Sequence, residues 1–402
     1  MGRMTAPWIV ASLIPATTLP APALGDIGSA LNWIELRPRY NQIEESDKPE
    51  TTSGGTVRAV AGVRLGPWHG ALLTLEGIHA GHWGRKRFND DPAQFATSPY
   101  PLLPDPGHTG VNRAHVEFTA IEGLTVRAGR QRVALDNQRW VSDNDFRQVP
   151  QLFDGVTFRH GGLANTRLTA GHYTHIRSTS GDREKARVTV LNAAWSPLQD
   201  HAVAAYGYFH DQPGTANFTG FADNSYRVYG ARAEGVAMRW GSIELPYVVE
   251  VARQQPHAGG DARIEARYWR AGAGLATAGW TLRYDHEVRG SNDGLYGLQV
   301  PLTDFYAFNG WTLHWFTAPR QGLRDGWATG RTSAGPWTIY VELHRFRSDF
   351  DALDLGREAD VGFTWAIRPN AVLRLQHARY DPGKGRPDPE VRKSWLTLTW
   401  TY

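Results

Sequence analysis

Stretches of about ten residues in which apolar and polar side chains alternate recur along the whole chain, and this period of two fixes the class of fold. Residues 279–288 put Trp280, Leu282, Tyr284 and Val288 on one face and Thr281, Arg283, Asp285 and Glu287 on the other. Residues 358–368 oppose Val361, Phe363, Trp365 and Ile367 to Asp360, Thr364 and Arg368. Residues 112–120 set Ala114, Val116 and Phe118 against Arg113, His115 and Glu117. Successive side chains of a β-strand point to opposite faces, so each stretch is a strand with one apolar side. Roughly 9–11 residues carry a tilted strand across a membrane. The polar faces bear full charges, which need water or ionic partners.

The same pattern places strands near 30–40, 56–66, 68–80, 110–121, 123–131, 153–161, 164–176, 186–196, 199–210, 226–238, 243–254, 264–275, 279–288, 322–333, 336–347, 358–368, 370–381 and 392–402. Tight connections at Gly66-Pro67, Ile121 to Gly123, Gly161 to Leu163, Pro197-Leu198, Thr277-Ala278, Ala334-Gly335 and Pro369 alternate with long polar loops. Short turns at one end and long loops at the other are the layout of an outer-membrane barrel. The expected fold is all-β, a transmembrane antiparallel barrel of about 18 strands (16–18) spanning residues 26–402. Beyond the N-terminus no run approaches the ~20 apolar residues of a membrane helix.

Residues 1–25 read as a secretory signal peptide. Arg3 precedes an apolar stretch from Ala6 to Leu19, and small residues follow at Ala21, Ala23 and Gly25. The expected location is the outer membrane of a Gram-negative bacterium, with membrane lipid around the barrel. At the other end Leu396, Leu398, Trp400 and Tyr402 share one face, and the chain stops on an aromatic. That ending is similar to the signal read by the barrel-assembly machinery, which makes Tyr402 its expected contact. The strand pattern begins too soon after the signal to leave room for a plug domain. Any constriction then comes from loops folding inward near 81–109, 132–152 and 289–321.

Cys is absent, which excludes disulfides, thiol catalysis and Cys-ligated metals. A net charge of +3 is too mild to indicate nucleic acid. Lys occurs at only five of the 43 basic positions, so the charge is carried by arginine, which grips carboxylates bidentately. Alternation puts Arg37, Arg39, Arg58, Arg113, Arg127, Arg159, Arg232, Arg267, Arg283 and Arg374 on the polar face. Acids including Glu35, Glu117, Glu250, Asp285 and Glu287 share it. These arginines either track a carboxylate-bearing solute or brace the wall through ion pairs.

Two segments go beyond generic strand character. Gly129-Arg130-Gln131 leads through Trp140 and Phe146-Arg147-Gln148 to Phe153-Asp154-Gly155-Val156. Gln299-Val300-Pro301-Leu302 leads through Phe308-Asn309-Gly310-Trp311 to Pro319-Arg320-Gln321-Gly322-Leu323-Arg324-Asp325. Together they resemble the alginate export porin family, with departures at Tyr306 and Thr312-Leu313. The resemblance implies a pore for polar, anionic solutes of carboxylate or uronate type, either small molecules or a polysaccharide. A general or neutral-sugar porin is the alternative. Arg130, Arg132 and Arg147 are then candidate solute contacts. Pro301, Phe308, Gly310, Trp311, Gly322 and Asp325 form the loop motif, in which Phe308 and Trp311 pin the loop to the wall and the glycines set its shape.

An outer-membrane enzyme needs a nucleophile with a base in reach, and His115, His172, His175, His210 and Ser142 show no spacing that singles out a triad. No enzyme activity and no cofactor are expected. The spacing His172-x-x-His175 puts the two rings on opposite strand faces, unsuited to a shared metal. Asp143-Asn144-Asp145 reads as a solvated loop tip rather than a calcium site.

Overall fold

The computed structural model describes residues 31–214 and 219–402. The expected signal segment lies outside the described residues. Eighteen antiparallel strands form a single sheet that closes on itself. The first strand, Leu31–Glu45, pairs on one side with Thr52–Trp68 and on the other with the last strand, Val391–Thr401. The Tyr402 amide donates to the Ile34 carbonyl at 2.8 Å, and the Ile34 amide donates back at 2.9 Å. Closure satisfies every strand edge, as a lipid environment demands.

Each strand expected from the period of two overlaps an observed one. The stretch 279–288 is Trp280–Arg289, and 392–402 is Val391–Thr401. The second hairpin differs. Its strands, Thr52–Trp68 and Ala71–Arg87, run on past their expected ends, and the turn is His69-Gly70 rather than Gly66-Pro67. Both turn residues have positive φ, 51° and 83°, as a two-residue hairpin favours. Gly66-Pro67 instead marks a shift of register between Leu65 and Trp68. Proline cannot donate to a ladder and settles at such bulges, so the breaker signal named the wrong feature.

The two faces separate cleanly. In Trp280–Arg289 the outward Leu282 and Tyr284 are each 57% exposed, whereas Arg283 and Asp285 are buried inside. Exposed Trp68, Trp195, Trp240, Trp280, Trp337, Trp365 and Trp400 all stand near the short-turn ends of their strands. Such a band is the aromatic girdle of a barrel at one membrane interface. Among the described residues no helix is long and apolar enough to cross a membrane.

Three long connections, 88–107, 132–151 and 290–322, pack within the wall. Val133, Leu135 and Trp140 of one join Leu298, Val300 and Leu302 of another against Tyr206, Tyr208, Val228 and Tyr268 of the wall. Tyr306 and Trp311 pack against Tyr340, Ala378 and Trp395. Phe88 and Leu103 meet Ile43. Among the described residues no separate plug is present; these loops fold into the barrel. Apolar burial at roughly 25 cal/mol per Å² holds them there.

Candidate constriction and its charge network

The loops 132–151 and 290–322 are stitched into one unit by their backbones. Ser142 donates its amide to the Leu302 carbonyl at 2.8 Å, and Asp304 donates to Gln138 at 3.0 Å. The Asn144 side chain donates to Thr303 and accepts from the Phe305 amide. Asn144 has φ of 49°, a conformation that asparagine tolerates better than most residues. It turns the chain so that Asp145 faces the wall.

Asp145 is the hub. Arg37 and Arg58 each reach it at 3.0 Å and Arg132 at 2.7 Å. Burial alone raises a carboxyl's pKa, but Arg58, Arg132 and Arg37 outweigh it and hold Asp145 well below the usual range. Arg58 also holds Glu35 at 2.5 Å. The expected solvated tip is therefore a half-buried anchor: wall arginines supply the partners that a tip in water would lack.

A second hub is Asp105, on the loop 88–107, which pairs with Arg39 at 3.4 Å and Arg147 at 3.3 Å. Arg39 donates to the Phe146 carbonyl at 2.7 Å and lies 4.3 Å from that ring's centre. Arg37, Arg39 and Arg374 line one cleft with Phe146, Asp143 and Asp304. Burial pushes the Asp304 carboxyl up to about 6, aided by Asp143 and Asp145. Asp143 is also pushed up, burial outweighing Arg132.

The other expected arginines spread around the wall rather than converging. Arg113 pairs with Glu76, Arg127 with Glu117, and Arg283 with Asp285 at 2.5 Å. Arg159 is half-buried on the inner face opposite Thr125, and Arg232 bridges Glu234 and Glu250.

Two expected positions are corrected. Arg130 faces outward, where it shares Asp154 with the exposed Arg183. The strand Leu124–Gln131 runs through this residue, and three positions beyond the inward Arg127 fall on the opposite face. Arg267 is likewise exposed, because its neighbours Ala266 and Tyr268 take the inner face.

The loop motif sits against the wall. Arg139, 1% exposed on its side chain, pairs with Glu287 at 2.6 Å, and its guanidinium lies 4.5 Å from the Phe308 ring. Trp311 is buried against Tyr340, and its amide donates to Asp360 at 3.3 Å. Gly310 has φ of +83°, and a Cβ there would lie 2.4 Å from the Glu358 carboxyl. Gly322, at +73°, would meet the Arg289 carbonyl at 2.7 Å. Pro301 lies in the packed stretch between Val300 and Leu302, and Asp325 accepts from His344.

Sequence reasoning missed Asp105, Arg139 and His344. The first two lie in loops without periodicity, where no pattern marks a buried charge. His344 does alternate inward with Glu342, a signal that was available. Beyond the loops, a cavity of about 670 Å³ opens toward the short turns, lined by Arg232, Arg270, Trp327, Ser242, Ala276 and Ser333, with Asn137 and Ala307 against it.

Solved structures of similar shape include outer-membrane proteins of the Opd and OccK series from Pseudomonas aeruginosa. OccK9 (OpdG) matches at a TM-score of 0.71 and 16% identity, over 94% of this chain and 100% of its own. OpdO matches at 0.70 and 12% identity, over 94% and 98%. OpdK, in a structure with vanillate, matches at 0.67 and 12%, over 92% and 98%. At such identities the likeness concerns the fold. No curated protein matches the chain by sequence. The alginate export family model matches residues 31–289. That is more than half of the sequence, and the chain, an eighteen-stranded outer-membrane β-barrel, belongs to the alginate export family.

Proposed function

We propose that the protein is an outer-membrane channel that passes small polar solutes by diffusion and favours those bearing a carboxylate. The observation that carries this reading is the cleft where Arg37, Arg39 and Arg374 gather beside Phe146 within the barrel. Around the two hubs, Arg37, Arg39, Arg58, Arg132, Arg147 and Arg374 face Glu35, Asp105, Asp143, Asp145 and Asp304. Six cations against five acids leave a slight positive balance. Burial disfavours the charged form of two of those acids, Asp143 and Asp304. Low-dielectric walls amplify even a small excess of one sign. The packed loops favour a small solute over a polymer, since Trp140, Val300 and their neighbours pack onto the wall beside Tyr206 and Tyr268 and narrow the interior. Vanillate, present in the OpdK structure, is a solute of this chemistry.

The density of ion pairs supports a second reading, a general porin whose arginines brace the wall. Planar-bilayer recordings separate the two. The proposal expects anion-over-cation selectivity and block by vanillate or glucuronate but not by glucose. Equal permeability to both ions and equal indifference to all three solutes would leave the general porin standing.

A further inference from the structure

The inner wall formed by the strands Leu323–Ala334, Trp337–Arg347 and Asp354–Arg368 holds a buried group outside the arginine network. Asp325, Glu342, Glu358 and Asp360 surround the His344 ring. Residues two apart on a strand share a face, so Glu342 and His344 point inward together, as do Glu358 and Asp360. The register sets Glu342 opposite Asp360 and His344 opposite Glu358. One imidazole thus stands among four carboxyl groups, two of which, Glu358 and Asp360, hydrogen-bond to each other.

The orientation of that imidazole is specific. Nδ1 lies 3.0 and 3.1 Å from the two oxygens of Asp325, which accept its hydrogen bond. Trp327 stacks on the ring at 5.7 Å with 12° between the planes, and Phe346 stacks at 5.5 Å. The ring is fixed, and Nε2 is directed at Glu342 and Asp360. It has no hydrogen-bond partner although its side chain is only 2% exposed. The nearest oxygens stand 3.6 Å away on Glu342 and 3.8 Å away on Asp360. No atom bridges Nε2 to either carboxylate, and Asp360 Oδ1 is likewise buried without a partner.

We propose that Glu342, His344 and Asp360 bind a divalent transition-metal ion of the zinc class, with water completing its shell. The three ligand atoms lie within 4.8 Å of one another. Tetrahedral bonds of about 2.0–2.1 Å separate ligand atoms by about 3.3 Å, so the 3.6 and 3.8 Å separations from Nε2 close by a few tenths of an ångström, and the two carboxylates, within 4.8 Å, swing together by at most about 1.5 Å. An imidazole among the ligands favours zinc-like ions over calcium or magnesium. Asp325 behind Nδ1 is the outer partner that orients a metal-binding histidine. The Trp311 amide rests on Asp360 and Thr312 on Glu358, so an ion here also fixes the loop 290–322 to the wall.

The test is a zinc titration of the purified, chelator-stripped full-length barrel in detergent, in competition with a chromogenic chelator. The expected result is one tight equivalent per chain. Glu342→Gln and Asp360→Asn should each weaken it about tenfold or more, and His344→Gln should abolish it. His314→Gln, which alters a loop histidine outside the trio, should retain it. Heat-modifiable mobility reports folding of each variant, and the two near-isosteric carboxamides carry the test if His344→Gln does not fold. Absence of a tight equivalent in the folded wild type, or an unchanged affinity in both carboxamide variants, overturns the proposal.

Discussion

Arg58 on the barrel wall and Asp145, 87 residues later in an inner loop, meet at 3.0 Å. Arg58 is fully buried and held on its other side by Glu35, while Asp145 also takes Arg37 and Arg132. The pair ties the loop 132–151 to the wall near the cleft of Arg37, Arg39 and Arg374. Removing one partner of a buried ion pair strands the other and costs about 3–5 kcal/mol. A charge this well matched is therefore both a fastening and part of the field that a solute meets.

Asp145→Asn should raise anion-over-cation permeability several-fold, because three guanidinium groups then face a neutral amide. A unit charge at ~4 Å is worth about 4 kcal/mol at an effective dielectric near 20, and a small part of that suffices. Reversal potentials under a potassium chloride gradient measure the change, and added salt should blunt it. An unchanged reversal potential would mean that permeating ions do not sense this hub.

Arg147→Gln and Arg130→Gln form a matched contrast. Arg147 pairs with Asp105 inside the barrel, whereas Arg130 lies on the outer face with Asp154. The first substitution should lower anion preference and weaken block by glucuronate; the second should alter neither. If both change selectivity equally, the outward placement of Arg130 is wrong.

Acidification should increase anion preference. Asp304 is raised to about 6 by burial, so its charge is present at pH 7 and largely removed by pH 5. Selectivity should shift across that window and flatten in Asp304→Asn. The stability sign is the same. A carboxyl held above its unfolded pKa disfavours the fold when ionised, so this group's penalty is absent below the free carboxyl range and complete once pH has risen past about 6. A pH profile identical in wild type and Asp304→Asn would exclude this group as the titrating one.

Epitope tags at Asp90 and Asp388 should be accessible on intact cells, and tags at Gly70 or Pro197 should not. The first pair lies in long connections and the second in tight turns. Reversed labelling would invert the barrel in its membrane.

The wall was legible in the sequence because a strand between lipid and a wet interior must alternate, as Leu282, Arg283, Tyr284 and Asp285 do. A bulge misplaced the turn at Gly66-Pro67, and Arg267, in an unbroken ladder, was set on the wrong face. The interior was harder to read. Arg130 looks like a pore arginine by its place in the Gly-Arg-Gln motif, although the strand expected over 123–131 already sets it opposite in face to Arg127. Asp145 reads as a solvated tip until Arg37 and Arg58, distant in sequence, arrive beside it. Buried loop charges depend on partners that the fold supplies, and local pattern carries no record of them.

Replacing Tyr402 with Lys should reduce insertion of the barrel into the outer membrane. Tyr402 is 80% exposed on the outer surface and stacks with Trp400 at 6.3 Å, so its ring belongs to the aromatic band at the short-turn end. Its backbone pairs with Ile34 in both directions, and those bonds survive the substitution. The variant therefore removes the terminal aromatic while leaving the seam between first and last strands able to close. Recognition by the assembly machinery and anchoring at the interface should suffer, not the stability of barrels that have already formed. The expected outcome is a several-fold lower yield of heat-modifiable barrel in outer-membrane fractions, with normal heat resistance in the part that inserts. Tyr402→Phe, which keeps the ring, should restore the yield. Equal yields for Lys and Phe would show that the aromatic end plays no part in assembly.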